Sequence, residues 1–192
     1  TQEIETYARM RGAQALWGRA HEAQGAPPYW PWIQIGRAYG AANDPNQLRS
    51  ELSSVYPELV RLFPELKQLV PGIEDPPPVT DPESAQFRLF DAFTTFIRAA
   101  SNRTPLLIVL DDLHWADKAT LLLLQHMSQE LSRMRVTIVG TYRDTELSRT
   151  HPLSETLAQL NRESGFLRIN LRGLNQGEVE QYIYATSGVK PR

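Results

Sequence analysis

The sequence contains no cysteine, and this absence removes several kinds of chemistry at once. Disulfides, thiol catalysis and cysteine-based zinc sites are excluded for all 192 residues. Histidine is also scarce, with four residues scattered at positions 21, 114, 126 and 151. That scatter gives no sequence signal for a metal cluster, so candidate chemistry must come from other residue types.

An excess of charge of one sign and long hydrophobic runs are missing as well. Twenty Lys and Arg face 22 Asp and Glu, for a net charge of −2, so no polybasic surface for nucleic acid or membrane is indicated. The longest apolar runs, Pro105 to Leu110 and Leu121 to Leu124, are far shorter than the roughly 20 residues that span a bilayer. No apolar signal core opens the chain. We expect a soluble, cytoplasmic protein without a membrane partner, which contacts DNA only through a domain outside this chain.

What is present is the composition of a globular domain, with 41% hydrophobic and 22% charged residues. Prolines divide its first half. Ile33 to Gln68 predicts several short helices, and Pro71 to Pro82 predicts a stiff connector. The aromatic residues Tyr29, Trp30 and Trp32 are interpreted as core anchors; a stacking surface for bases or for a proline-rich peptide is the alternative.

Capping signals predict where three helices begin or end. Gly12 suits the end of a helix that starts near Ile4. Asp81 followed by Pro82 predicts the start of a long helix with an apolar stripe. Asn175 and Glu178 have the spacing of a cap and its partner three residues later.

A strand, a helix and a second strand are predicted at Leu106 to Leu110, Ala119 to Arg133 and Val136 to Tyr142. Both strands are apolar on consecutive residues, which is typical of a parallel sheet covered on both faces. Further strands are predicted at Ala13 to Trp17 and, from its alternation, at Phe166 to Leu171. The fold class predicted is therefore α/β, with a parallel sheet between layers of helices.

Polar side chains follow both strands of this unit. Asp111 and Asp112 end the first strand, and Thr141 and Arg143 lie at the end of the second. Ligands of parallel sheets gather beyond the carboxyl ends of the strands. One carboxylate can hold Mg²⁺ while its neighbour polarises the water that attacks a γ-phosphate. A guanidinium nearby can grip phosphate oxygens, so the pattern favours phosphate hydrolysis.

A plainer interpretation stays open for each of these residues. Two acids at the end of an apolar strand can simply cap the next helix. Arg143 and Asp144 can form a surface pair of little energetic value, and Trp115 can be an aromatic at the edge of the core. His114 is interpreted as structural, with contact to a phosphate as the weaker alternative.

Four stretches of the sequence are informative when they are taken together: LWGRAHEAQGAPPYWPW (Leu16 to Trp32), AQFRLFDAF (Ala85 to Phe93), LLIVLDDLHWAD (Leu106 to Asp117) and VGTYRDTEL (Val139 to Leu147). In this order they resemble the AAA-type ATPase domains of the STAND class, found in large LuxR-type and MalT-like transcriptional regulators. The resemblance implies that Asp111 binds Mg²⁺ and that Asp112 is the catalytic acid. It also implies that Thr141 and Arg143 form the first sensor of the nucleotide.

The glycine-rich phosphate loop that serves such a site, GxxxxGK followed by Ser or Thr, does not occur in the 192 residues. The resemblance places that loop a few residues before Thr1. It implies a P-loop NTPase-like core over residues 1–173, with a helical insertion at about 33–82 and the start of a helical lid at 174–192. We therefore expect this stretch alone to be inactive and to hold no nucleotide or metal.

The leading hypothesis is a nucleotide-binding ATPase switch of a multidomain transcriptional or signalling regulator. ATP or ADP and Mg²⁺ are its expected cofactors in the complete protein, and other domains of the same polypeptide are its expected partners. The alternative is a degenerate core that never hydrolyses ATP and serves as a scaffold or effector contact. A metal-dependent phosphohydrolase using Asp111 and Asp112 alone lacks the further ligands that a metal site needs.

The resemblance also implies a sheet order of 5-1-4-3-2, in which the first strand lies between those matching Val136 to Tyr142 and Phe166 to Leu171. Without that strand, the edge at Val136 to Tyr142 is open. We expect either Phe166 to Leu171 to move across and pair with it or another chain to fill the gap, and we favour self-association through this edge.

Overall fold

The computed structural model describes residues 2–22, 25–69 and 81–188 and contains a parallel three-stranded sheet flanked by helices. The strands are β1 (Gln14–Arg19), β2 (Leu106–Asp111) and β3 (Val136–Gly140), in the order β1-β2-β3. β2 pairs with both neighbours in parallel. The carboxyl ends of all three strands therefore lie at the same end of the sheet. The predicted α/β fold is confirmed.

Helices connect and cover the strands. The helix between β2 and β3 ends earlier than the predicted Arg133, and a 3₁₀ turn at Leu131–Arg133 follows it. No helix in the described ranges is both long and apolar enough to cross a membrane. The helices are α1 (Gln2–Met10), α2 (Trp30–Ala42), α3 (Pro45–Leu52), α4 (Tyr56–Leu59), α5 (Leu66–Leu69), α6 (Pro82–Arg103), α7 (Lys118–Ser128), α8 (Pro152–Leu160) and α9 (Gln176–Ser187).

The predicted capping signals are confirmed. Gly12 follows α1 with φ at 78°, a left-handed conformation that costs glycine little. The Asp81 carboxylate accepts from two backbone amides in the first turn of α6, where Pro82 is the first residue. Asn175 and Glu178 form a reciprocal capping box at the start of α9. Local sequence therefore fixes these helix ends before any tertiary contact.

The two faces of the sheet are covered unequally. Every residue of β2 before Asp111 is buried. Leu106, Ile108 and Leu110 join the main core, which includes residues of α2, α6 and α7. On the opposite face, Leu107 and Val109 form a much smaller buried cluster with Ala15, and the partly buried Ala8 of α1 packs against it. Burial on both faces explains why β2 has consecutive rather than alternating apolar residues.

Trp32 is the aromatic anchor that joins α2 to the core. Its side chain is completely buried, and its indole N–H donates to the carbonyl of Thr120 at 3.0 Å. The ring also meets Phe93 edge to face, with centroids 5.6 Å apart. Tyr29 and Trp30 are partly buried and pack against the same core. The interpretation of these aromatics as core anchors is confirmed.

The predicted short helices between Ile33 and Gln68 are also observed, as α2 to α5. The connector predicted at Pro71 to Pro82 lies outside the described residues as far as position 80, and positions 189–192 at the end of the chain lie outside them too.

The strand predicted at Phe166 to Leu171 is wrong. These residues form no ladder in the described part of the chain, and Leu167, Ile169 and Leu171 are each at least 70% exposed. Alternation reports which side chains share a face, but a strand also needs a partner edge for its backbone. The proposed move of this segment to pair with β3 therefore does not occur.

The two edges of the described sheet differ. At β1 the Gln34 amide donates to the Arg19 carbonyl at 2.9 Å and accepts from the Arg19 N–H at 3.3 Å, in place of a further strand. At β3 the bonds at Arg135 and Thr141 point toward β2. Backbone groups alternate in direction along a strand, so the N–H and C=O groups of residues 136, 138 and 140 face away from β2. No strand in the described ranges pairs with that side.

Association of a second chain at the β3 edge stays a prediction. We expect the weight-average mass in sedimentation equilibrium to rise with protein concentration. Thr137→Lys, on an exposed residue of β3, should suppress that rise, because a charge on an edge strand disfavours strand addition. Thr150→Lys, on an exposed turn, is the control with the same change. A wild-type chain that stays monomeric throughout would contradict the prediction.

Candidate functional site

Two carboxylates stand at the end of the most buried strand. Asp111 is the last residue of β2 and Asp112 follows it, and each side chain is about 20% exposed. Asp111 borders a cleft of about 580 Å³ beside the first residues of α1 and the ends of β1 and β2. The residues that line it are Gln2, Glu3, Trp17, Arg19 and Asp111. The sheet therefore places the acids where ligands of parallel α/β proteins bind.

Asp112 has an uncommon backbone conformation. Its φ of 58° and ψ of 43° are left-handed, a region that non-glycine residues enter at a cost of roughly 1–2 kcal/mol and that aspartate tolerates better than most. The turn sends Leu113 back into the core, where its N–H donates to the Thr141 carbonyl at 2.8 Å. Backbone strain of this kind is found most often at functional sites.

Thr141 ties both acids together. Its hydroxyl donates to Oδ1 of Asp111 at 2.5 Å and accepts from the backbone N–H of Asp112 at 3.0 Å. Its own N–H donates to the Leu110 carbonyl at 2.9 Å, which continues the pairing of β3 with β2. The structure therefore brings Thr141 to the acids, as its position after β3 predicted.

Arg19 also belongs to the site, although no sequence prediction included it. Its Nη2 lies 2.9 Å from Oδ2 of Asp111, and its Nε lies 3.2 Å from Oδ2 of Asp112. The prediction ended the first strand at Trp17, whereas β1 continues to Arg19. The sequence signal that could have identified Arg19 is its position two residues after the predicted strand, which puts it at the same end of the sheet as the acids.

The ion pairs of Arg19 are half exposed. The guanidinium side chain keeps 57% of its surface, so solvent screens it, and pairs of this kind contribute about 1 kcal/mol or less. Their geometric effect is larger. Both oxygens of Asp111 already have partners, Thr141 on one and Arg19 on the other. A cation that binds Asp111 directly therefore competes with Arg19 and Thr141 for these oxygens.

Arg143 lies apart from the acids. Its Nη1 pairs with Oε1 of Glu146 at 2.9 Å, and its guanidinium lies 5.8 Å from the centroid of the Trp115 ring. Within the described residues it makes no bond to Asp111 or Asp112. The structure therefore brings three of the four predicted site residues together and leaves Arg143 outside.

The surface pair suggested between Arg143 and Asp144 is not formed. Asp144 instead accepts from Arg168 at 2.7 Å, and that guanidinium lies over the Tyr142 ring at 5.6 Å. Burial raises the pKa of the Tyr142 phenol, and the positive charge of Arg168 partly offsets this effect. Through these contacts Arg168 packs against Tyr142 and Asp144, in the segment that follows β3.

His114 is buried, as a structural role predicts. Its side chain has no exposed surface, and its ring lies 4.5 Å from the Trp115 ring, centroid to centroid. Its Nε2 lies 3.3 Å from Oε2 of Glu146, although neither ring nitrogen has a partner with good hydrogen-bond geometry. The His114 carbonyl accepts from Nε2 of His151, the residue that caps α8.

The Thr141 hydroxyl provides a direct test of this geometry. Thr141→Val keeps the side-chain volume but leaves the Asp112 N–H and one Asp111 oxygen without their partner. We expect a loss of about 1–3 kcal/mol in the free energy of unfolding, measured by urea denaturation. Thr141→Ser keeps the hydroxyl and should lose clearly less. Equal stability of the valine variant and the wild type would contradict the assigned bonds.

Comparison with known proteins gives one finding. Searches of curated proteins and of solved structures returned no match. The model of a family described as the AAA ATPase domain matches residues 1–139. That range contains β1, β2, the cleft and both acids, whereas Thr141 and Arg143 lie just beyond it. Because the match covers well over half of the chain, the chain belongs to the AAA ATPase domain family and is a nucleotide-binding ATPase module.

Proposed function

We propose that this module is the nucleotide-dependent switch of a multidomain transcriptional or signalling regulator of the STAND class. Asp111 is assigned as the Mg²⁺-binding acid and Asp112 as the acid that polarises the attacking water. One observation carries the assignment: both acids stand at the carboxyl end of the central strand, where parallel α/β sheets bind ligands, and Asp111 lines the cleft there.

The donor set fits Mg²⁺ with a phosphate substrate. Mg²⁺ takes oxygen ligands, commonly one or two carboxylates together with water and substrate phosphates. In the described ranges no group of three or more histidine or acidic residues forms a metal cage, and this arrangement does not need one. Bound at Asp111, the ion would neutralise charge on the phosphates. Arg19 would then leave Asp111 and could contact phosphate oxygens.

Asp112 is held for a separate task. Its backbone is fixed by the left-handed turn and by the bond of its N–H to Thr141. Its carboxylate has Arg19 as its ionic partner. When Arg19 turns toward phosphate, the carboxylate is free to orient a water and accept its proton. On this proposal, nucleotide binding releases the Asp112 carboxylate from Arg19 and so makes it available to the attacking water.

The regulator context is supported by the four resembling stretches, which occur in the family's order. On this proposal the partners are other domains of the same polypeptide, and any DNA contact belongs to one of them. A degenerate scaffold is the second candidate. It is favoured by the pairing of both acids with Arg19.

Substitution of the two acids separates their roles in the complete protein. Asp112→Asn should lower kcat by at least about 100-fold while ATP binding persists in calorimetry, because the amide cannot accept the proton. Asp111→Ala should instead weaken the Mg²⁺-dependent part of binding.

Asp117→Asn is the matched control, because Asp117 caps α7 and asparagine also caps helices well. Its turnover should equal that of the wild type. Wild-type turnover by Asp112→Asn would reduce Asp112 to a turn residue and favour the scaffold.

The 192-residue stretch by itself should bind Mg·ATP weakly or not at all. The backbone amides and the lysine of a phosphate loop normally supply the grip on the phosphates, and the motif does not occur in it. Isothermal titration calorimetry measures this directly. A dissociation constant in the low micromolar range would contradict the prediction.

A further inference from the structure

The contacts of Arg143 form a short chain of side chains that ends in the core. A 3₁₀ turn at Asp144–Glu146 brings Glu146 back beside Arg143, and the Glu146 N–H donates to the Arg143 carbonyl at 3.2 Å. One oxygen of Glu146 pairs with Arg143 at 2.9 Å, and the other lies 3.3 Å from Nε2 of His114. The carboxylate therefore stands between an exposed guanidinium and a buried imidazole.

His114 is the buried end of this series of side-chain contacts. A neutral imidazole has one N–H donor and one acceptor nitrogen, and a buried group without partners lowers stability. The Oε2 atom of Glu146 at 3.3 Å is close enough for a small side-chain rotation to complete a hydrogen bond from Nε2. A buried ring cannot move far, so Glu146 gains a fixed neighbour that an ordinary surface acid lacks.

Trp115 supplies a second support for Arg143. The guanidinium lies 5.8 Å from the centroid of the indole ring, within the range of an attractive cation–π contact. Trp115 in turn packs on the His114 ring. An exposed ion pair alone holds a side chain weakly. Here the ion pair and the ring contact both act on the guanidinium, and His114 lies against Glu146 and Trp115, which make those contacts.

Arg143 lies close in sequence to a residue of the site. Its backbone is extended, with φ at −101° and ψ at 116°, and it follows Thr141 by two residues. Residues two apart in an extended chain project to the same side, and the Thr141 hydroxyl already touches Asp111. On the proposal below, rotation of the side chain away from Glu146 would carry the guanidinium toward the acids.

We propose that Glu146, anchored by His114, is a positioning residue that holds Arg143 away from the phosphate site until a nucleotide draws it across. This inference rests on the proposed function and on the sensor role that the family resemblance implies for Arg143. Glu146 then sets how much binding free energy the nucleotide spends on releasing the arginine. A ligand that gains contacts only with the released arginine must offset the cost of its release.

The resting contact can be measured on this chain without nucleotide. The probe is the ¹H–¹⁵N indole resonance of Trp115, identified by its loss in Trp115→Phe. Arg143→Met should shift it, because the cation leaves the ring. Glu146→Gln should shift it in the same direction. Glu155→Gln, an equal change of charge on an exposed residue of α8, should leave it in place. No shift with Glu146→Gln would overturn the proposal.

The release step is measured on the complete protein by calorimetry with ATP and with ADP. Glu146→Gln should tighten ATP binding by about threefold to tenfold and leave ADP binding nearly unchanged, because only the γ-phosphate needs Arg143. In the Arg143→Met background, Glu146→Gln should have no effect on ATP. Equal effects in both backgrounds would show that Glu146 acts through something else and would overturn the inference.

His114→Phe tests the anchor, because phenylalanine keeps a ring of similar size and lacks the nitrogens. It should tighten ATP binding in the same direction as Glu146→Gln and add nothing when combined with it. Additive effects would remove His114 from the proposal. Failure of the complete protein to bind any nucleotide would refute the proposed function and the release step with it, whereas the Trp115 resonance would still decide whether Glu146 holds Arg143.

Discussion

Two adjacent negative charges at the end of a fully buried apolar strand are the constraint around which this site is built. Carboxylates at such a position need partners, because burial without compensation is costly. The partners come from both neighbouring strands: Arg19 from β1 and Thr141 from the segment after β3. Each acid therefore has a contact on either side of β2, and the parallel order of the three strands is what makes both contacts reachable.

The uneven packing of the sheet leaves room for a ligand beside these charges. The face that carries Leu106, Ile108 and Leu110 is sealed by the helical layers and by Trp32. The opposite face carries a small buried cluster and the helix α1. No described residue of α1 is itself fully buried. A rigid face holds β2 in place, while the cleft opens beside the end of α1. The cleft therefore lies on the side of the sheet that carries the smaller buried cluster.

Sequence patterns predicted the elements well where the signal was local. Caps such as Asp81 and Asn175 act through backbone amides within a few residues, so they can be recognised without knowledge of the fold. Phe166 to Leu171 failed because alternation carries no information about a pairing edge. Arg19 was missed for a related reason: the predicted strand ended at Trp17, so the arginine was not counted among the residues at the sheet edge.

The sequence by itself determined the α/β class, the parallel strands and the placement of Asp111, Asp112 and Thr141 at one edge, because hydrophobic periodicity and strand direction are properties of the chain. The tertiary structure decided which charges meet. Arg19 lies 92 positions before Asp111 and still touches it, and Arg143 turns toward Glu146 rather than toward the acids. Side-chain pairing depends on distances between separate elements and on competition among partners. Neither can be predicted from the residues next to it in the sequence.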